Sequence, residues 1–340
     1  MMCAIILSMK NINKISIIIS ASLVSLVAVV TIFGIFYAQD FSDFLKAQNF
    51  KPSEKITQIT SKINLTDRAK TIFYATNPRV LSSQDFNSSC SKLVEKSTIL
   101  GCYNDDKISI FNVENSELDG VEEVTAAHEL LHAVWNRASK SERDRLSKEI
   151  EENYKKIKTP ELEKTVANYA ITEPGERVNE LHSILGTEFS GLSSELEAHY
   201  AKYFKNRNDI VAMNTRYKAK FKSLEDRAKS LDRELKKLKA EIKQETTDYS
   251  NKLQSLNMAI LLFNSRAKSG YYHSQGAFNA DRSSLVERSN SMEQYRNQIN
   301  SKVTDYNSKV VELQRISKQI QRLYDSLNSK IEKVDGIKSL

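Results

Sequence analysis

The sequence predicts an α+β chain that is mostly α: a small globular domain behind an N-terminal apolar span, then a long antiparallel coiled-coil hairpin. Three observations predict it. Only nine Gly and four Pro punctuate 340 residues, too few for a turn-rich all-β fold. One short stretch, Ile108 to Val113, alternates apolar and polar residues as a half-buried strand does. Two sustained heptad series flank a single break near the C-terminus.

The composition, 40% apolar and 27% charged, is that of a globular chain rather than a disordered one. The net charge of +7 is unevenly spread: residues 205–340 hold 27 Lys/Arg against 16 Asp/Glu, so the first 204 residues are net acidic. The basic segment suits either a solvated helical surface or contact with anionic lipid or a polyanionic envelope polymer. Its cations are mixed with acids and lack interleaved aromatics on an exposed face, which argues against nucleic acid.

In chain order, Ile15–Ala38 contains no charged residue and is long enough to cross a bilayer as a helix. A cleavable signal peptide is the competing reading, but the best cut, after Ala38, would place Phe36 where a small residue belongs, so an uncleaved anchor is expected. Lys10 and Lys14 precede the span, which keeps the N-terminus cytoplasmic and places everything after Gln39 outside. In that oxidising space Cys90 and Cys102 are expected to pair, the alternative being two buried free thiols. Residues 39–65 read as a linker with a short amphipathic stretch. Thr66-Asp67 opens a helix through Ile72, Phe73 and Tyr74 that Asn77-Pro78 stops.

From Asp119 the chain reads as successive helices. Asp119 with Glu122, and Ser139 with Glu142, form candidate capping boxes. Pro160 and Pro174 open two further helices, and another begins near Ser194. That last helix is expected to run on into the first heptad series, Ile210 through Phe263. The run at 269–280 breaks the pattern, and Met292 through Val334 resumes it. Each arm would be on the order of 80 Å long at about 1.5 Å per residue.

The chemistry concentrates at His128-Glu129-Leu130-Leu131-His132. Residues four apart share a helical face, so both imidazoles can reach one Zn²⁺. Glu129 is turned about 100° from His128 and can face a water beside the metal as general base. Only five His occur in the chain, which makes this spacing improbable as an accident.

Over residues 65–200 the sequence resembles the zincin metallopeptidases, in which a strand lies along the substrate cleft just before the HExxH helix. The metzincin branch is excluded, because Trp135 and Ala138 stand where its Gly and His would be. Asn179-Glu180-Leu181-His182-Ser183-Ile184 resembles the gluzincin pattern NExxSD through Ser183, with Ile184 in place of the acid. The resemblance implies His128, His132 and Glu180 as ligands and Glu129 as base. Glu176, four residues before Glu180, and His182, two after it, are rivals for the third ligand position. His199, Tyr200 and Tyr203 are candidate oxyanion donors by residue type alone.

These readings divide the chain into a cytoplasmic N-terminus (1–14), a transmembrane anchor (15–38), a linker (39–65), a zincin-like metallopeptidase domain (66–204) and a coiled-coil hairpin (205–335). The expected function is zinc-dependent hydrolysis of protein or peptide substrates outside the cytoplasm by a single-pass membrane protein, with the hairpin also suited to homo-oligomerisation. The alternatives are a catalytically inactive zincin scaffold with an adhesion role for the hairpin, and hydrolysis of wall-peptide amides.

Overall fold

The computed structural model describes residues 38–90, 99–172 and 175–329. The expected anchor at 15–38 lies outside them except for Ala38, as do the Glu173-Pro174 helix start and the heptad positions Ile331 and Val334. No helix among the described residues is long and apolar enough to cross a membrane. The chain forms two compact units, one of residues 1–217 with 326–340, the other of residues 218–325.

In the first unit, a helix over residues 38–49 (α1) and α2 (Glu54–Lys62) precede α3 (Asp67–Ala75). The segment 39–65 is therefore not a linker. Ile56, Ile59 and Ile63, spaced three and four apart, are almost wholly buried, and Ser53 caps α2 by accepting from the Ile56 amide. Burying such a stripe removes three branched side chains from water, worth about 1.5–3 kcal/mol each as an upper bound. Strand β1 (Arg79–Leu81), α4 (Ser83–Ser89), β2 (Gly101–Asn104) and β3 (Lys107–Phe111) follow. The sheet order is β1-β3-β2, with β1 parallel and β2 antiparallel to β3. Cys90, just past α4, forms a disulfide with Cys102 in β2.

Helix α5 (Val121–Arg137) crosses the sheet and is followed by α6 (Lys140–Ile157), α7 (Pro160–Thr172), α8 (Arg177–Glu188) and α9 (Ser194–Tyr200). The capping box expected at Asp119 and Glu122 does not form. Gly120 is the N-cap, and Glu122 instead accepts from the Val113 amide at 2.8 Å. Ser139 does cap α6 through the Glu142 amide. Helix α8 packs directly on α5, and Gly186 makes that possible: a Cβ there would meet Leu131 Cδ1 at 2.3 Å and Tyr200 Cε1 at 2.8 Å.

Helix α9 does not continue into the heptad series. It stops at Tyr200, because the backbone of 202–205 is taken up elsewhere: the Thr66 amide donates to Tyr203 O, the Lys205 amide to Asn64 O, and Leu65 bridges Phe204. Helix α10 (Arg207–Lys268) then starts afresh, its Arg207 donating to the carbonyls of Leu185, Gly186 and Phe189 at the end of α8.

In the second unit, α10 runs antiparallel to α11 (Gln275–Leu327). Arg227 pairs with Glu312, Glu234 with Lys309, and Lys302 with Glu241 and Glu245. Leu231, Ile316 and Ile320 form a small core between them. The tip is shorter than the expected 269–280. Ser274 accepts from the Ala277 amide and caps α11, so 275–280 are already helical. Phe263, Tyr272 and Phe278 stack there.

Beneath α8, the buried His182 and His199 meet through Nε2 at 2.9 Å. Burial, with Lys202, Arg145 and Arg68 nearby, brings His199 from 6.5 down to about 4. Between those pH values the unfolded chain takes up a proton that the folded one does not. Stability should therefore fall as pH drops through this window, losing about 3 kcal/mol from this residue once below it. Urea unfolding at pH 7, 5.5 and 4 is expected to show a shallower loss for His199→Gln than for the wild type.

Candidate metal centre

Helix α5 places His128 and His132 one turn apart, their rings edge-on with centroids 4.9 Å apart. Glu180 reaches them from α8. Because that helix begins at Arg177, Glu180 lies in its first turn, where a negative charge is favoured by the helix dipole. Glu180 Oε1 lies 3.3 Å from His132 Nε2, and Oε2 lies 3.6 Å from His128 Nε2. The ligand atoms of all three residues fall within 4.8 Å of one another.

A tetrahedral cation with ligand distances of about 2.0–2.1 Å separates its ligand atoms by about 3.3–3.4 Å, so these spacings suit a shared ion. The carboxylate itself argues the same way. It is buried, and its Oε2 has no hydrogen-bond partner. Such an atom is costly unless a cation satisfies it. Burial alone would raise the Glu180 carboxyl, but His132 and His128 beside it bring it below the usual carboxylate value. The three residues thus form a group that can hold a metal ion.

The surroundings fix the ligands. Asn179 Oδ1 lies 3.0 Å from His132 Nδ1, and Asn179 Nδ2 donates to Glu176 Oε2 at 3.0 Å. With Asn179 so oriented, its oxygen accepts from Nδ1–H and leaves the His132 Nε2 lone pair for the metal. Among the rivals for the third position, Glu176 therefore engages Asn179, and His182 turns into the core against Trp135 and His199. Glu180 is the one that the fold brings to the two histidines.

A cavity of about 590 Å³ opens beside them, lined by His128, Glu129, His132 and Glu180 together with Gly101, Cys102 and Tyr103 of β2. Glu129 is 6% exposed and lies beneath β2, where a Cβ on Gly101 would stand 2.6 Å from its Oε1. Glu129 and the three side chains that could hold a metal ion thus face one space. Strand β2 ends the sheet on this side, and among the described residues no further strand pairs with its outer edge.

The oxyanion candidates named from residue type are not in this cavity. Tyr200 is buried and donates to His182 O at 2.8 Å, while His199 and Tyr203 pack beside it. Tyr169 of α7 and Arg143 of α6 line the cavity instead. Tyr169 had a weak sequence signal, since it extends the buried Leu162 and Val166 stripe of α7. Arg143 had none.

Searches against protein-family models, curated proteins and solved structures find no match to this chain.

Glu180→Gln should weaken Zn²⁺ binding in competition with a weak chelator, because a neutral amide replaces the charged ligand. Asn179→Ala should weaken it by about 10–100-fold through loss of orientation at His132. His182→Ala should leave the affinity within a few-fold of wild type. Metal release by that variant alone would mean that the imidazole is the third ligand.

Proposed function

We propose that the first unit is a zinc-dependent peptidase of zincin type, held at a membrane with its catalytic domain outside the cytoplasm. The observation that carries this reading is the convergence of His128, His132 and Glu180 on one point, with Glu129 in the same cavity. Two imidazoles and one carboxylate are a donor set suited to catalytic zinc, whereas Mg²⁺ and Ca²⁺ favour all-oxygen sites. Bound there, Zn²⁺ would supply the Lewis acidity that activates water and polarises an amide carbonyl.

The chain's own residues do the rest. Glu129 accepts the proton of the attacking water and returns it to the leaving amine. Asn179 holds the His132 ring in its ligating tautomer. The outer edge of β2 pairs with the backbone of an extended peptide and lays its scissile bond across the cavity. Tyr169 and Arg143 offer donors on the cavity wall for the developing oxyanion. The placement outside the cytoplasm rests on the uncharged run at 15–38, the flanking lysines and the Cys90–Cys102 disulfide, a bond that persists in oxidising compartments.

One sequence feature favours a scaffold role instead: Ile184 stands where the resembling family has a carboxylate that orients a ligand histidine. The intact Glu129 argues for activity, since a binding scaffold has no need of a base.

Glu129→Gln should keep its zinc and lose about 10²–10⁴-fold in peptide hydrolysis, whereas His128→Ala should lose both. Wild-type turnover in Glu129→Gln would rule out this mechanism. The topology is checked separately by adding protease to intact cells, which should cleave after residue 40 and spare the N-terminus.

A further inference from the structure

Helix α1 has two unlike faces. Asp43 points into the unit and is 1% exposed, accepting from Arg137 Nε at 2.7 Å and Nη2 at 2.9 Å. The opposite face carries Phe41, Phe44 and Leu45, which are 63%, 48% and 45% exposed. Residues i, i+3 and i+4 share one helical face, so the three form a single apolar stripe on an otherwise polar helix.

Sequence position identifies what covers that stripe. The uncharged run ends at Ala38, and Phe41 to Leu45 follow it within two turns, about 10 Å of helix. If the run spans a bilayer, the stripe can lie no farther from it than the headgroup layer. Aromatic and aliphatic side chains are favoured at that depth, and an apolar helix face sinks about 5–10 Å into it.

The other face of α1 is tied to the catalytic cavity. Arg137, the last residue of the HExxH helix, binds Asp43 on one side and Asp106 at 2.8 Å on the other. Lys46 of α1 also pairs with Asp106 at 2.7 Å. Asp106 lines the cavity wall and sits in the two-residue β2–β3 turn at positive φ, held further by the Tyr103 hydroxyl at 3.0 Å. Helix α1 thus reaches the lip of the cavity directly through Lys46–Asp106 and through Asp43–Arg137–Asp106.

We propose that α1 lies in the bilayer interface through Phe41, Phe44 and Leu45 and holds the cavity against the membrane surface, so that the substrates are peptide segments emerging from, or attached to, the bilayer. The substrate class rests on the peptidase reading above; the placement of α1 rests on the anchor alone.

The test uses the full chain reconstituted in vesicles. Phe44→Trp adds an indole to a chain whose one other tryptophan is Trp135. Lipids brominated near the headgroup should quench the added emission more than deeply brominated ones, with the parent protein as reference. Emission untouched by either lipid would overturn the interfacial placement, and failure to enter vesicles would overturn the anchor as well. In a second arm, one peptide is offered free or on a lipid anchor with a short Gly/Ser linker. The wild type should cut the anchored form about tenfold faster or more. Phe41→Ser/Phe44→Ser/Leu45→Ser, all at exposed sites, should lose that preference while cutting the free peptide normally. A triple variant with the full preference would overturn the proposed substrate class. A wild type that binds zinc and cuts neither peptide would overturn the peptidase reading, leaving quenching to decide the placement of α1.

Discussion

Helix α8 can bring a carboxylate to the two histidines of α5 only because Gly186 lets its backbone press against Leu131 and Tyr200, where any Cβ would collide. That contact sets the distance between the two helices and therefore the position of Glu180. Close-packed interiors transmit such constraints rigidly. The same contact buries Glu180 with an unsatisfied oxygen, a cost the fold bears at one place. A cation bound there would offset that cost, so metal binding and folding of this unit are thermodynamically linked.

A second constraint acts at the other end of α5. Arg137 is largely buried and shared between Asp43 and Asp106, and each carboxylate meets it through charge-assisted hydrogen bonds. Removing one partner of such a buried pair commonly costs about 3–5 kcal/mol, because the remaining charge is stranded. One helix therefore carries the two histidines of the candidate metal site in its middle and the tie to α1 at its end. The β2–β3 turn on the cavity wall and the N-terminal helix are both tied to that end.

The hairpin obeys different rules. Its buried positions are few, and much of the contact between its helices is ionic or aromatic, as in Arg227–Glu312 and Tyr249–Tyr295. Exposed ion pairs contribute little individually, so the length and repetition of the interface stabilise it rather than any one contact.

Features set by local physics were legible in the amino-acid order. Four-residue spacing put His128 and His132 on one face, heptads set the hairpin, Ser139 and Thr66 set helix starts, and alternation marked β3. It also placed Glu180 among three candidates. It misjudged 39–65, whose isoleucine stripe is visible only as a weak amphipathic signal until α5 and the sheet cover it. It ran α9 into α10, because nothing local announces that Asn64 and Thr66, far back in the chain, take the backbone bonds of 202–205. The resemblance already favoured Glu180, but only the fold turned Glu176 to Asn179 and His182 into the core, and only it brought Tyr169 and Arg143 to the cavity. Those choices depend on the rotation and depth of α8 against α5, which a steric contact at Gly186 fixes and no periodicity in the sequence encodes.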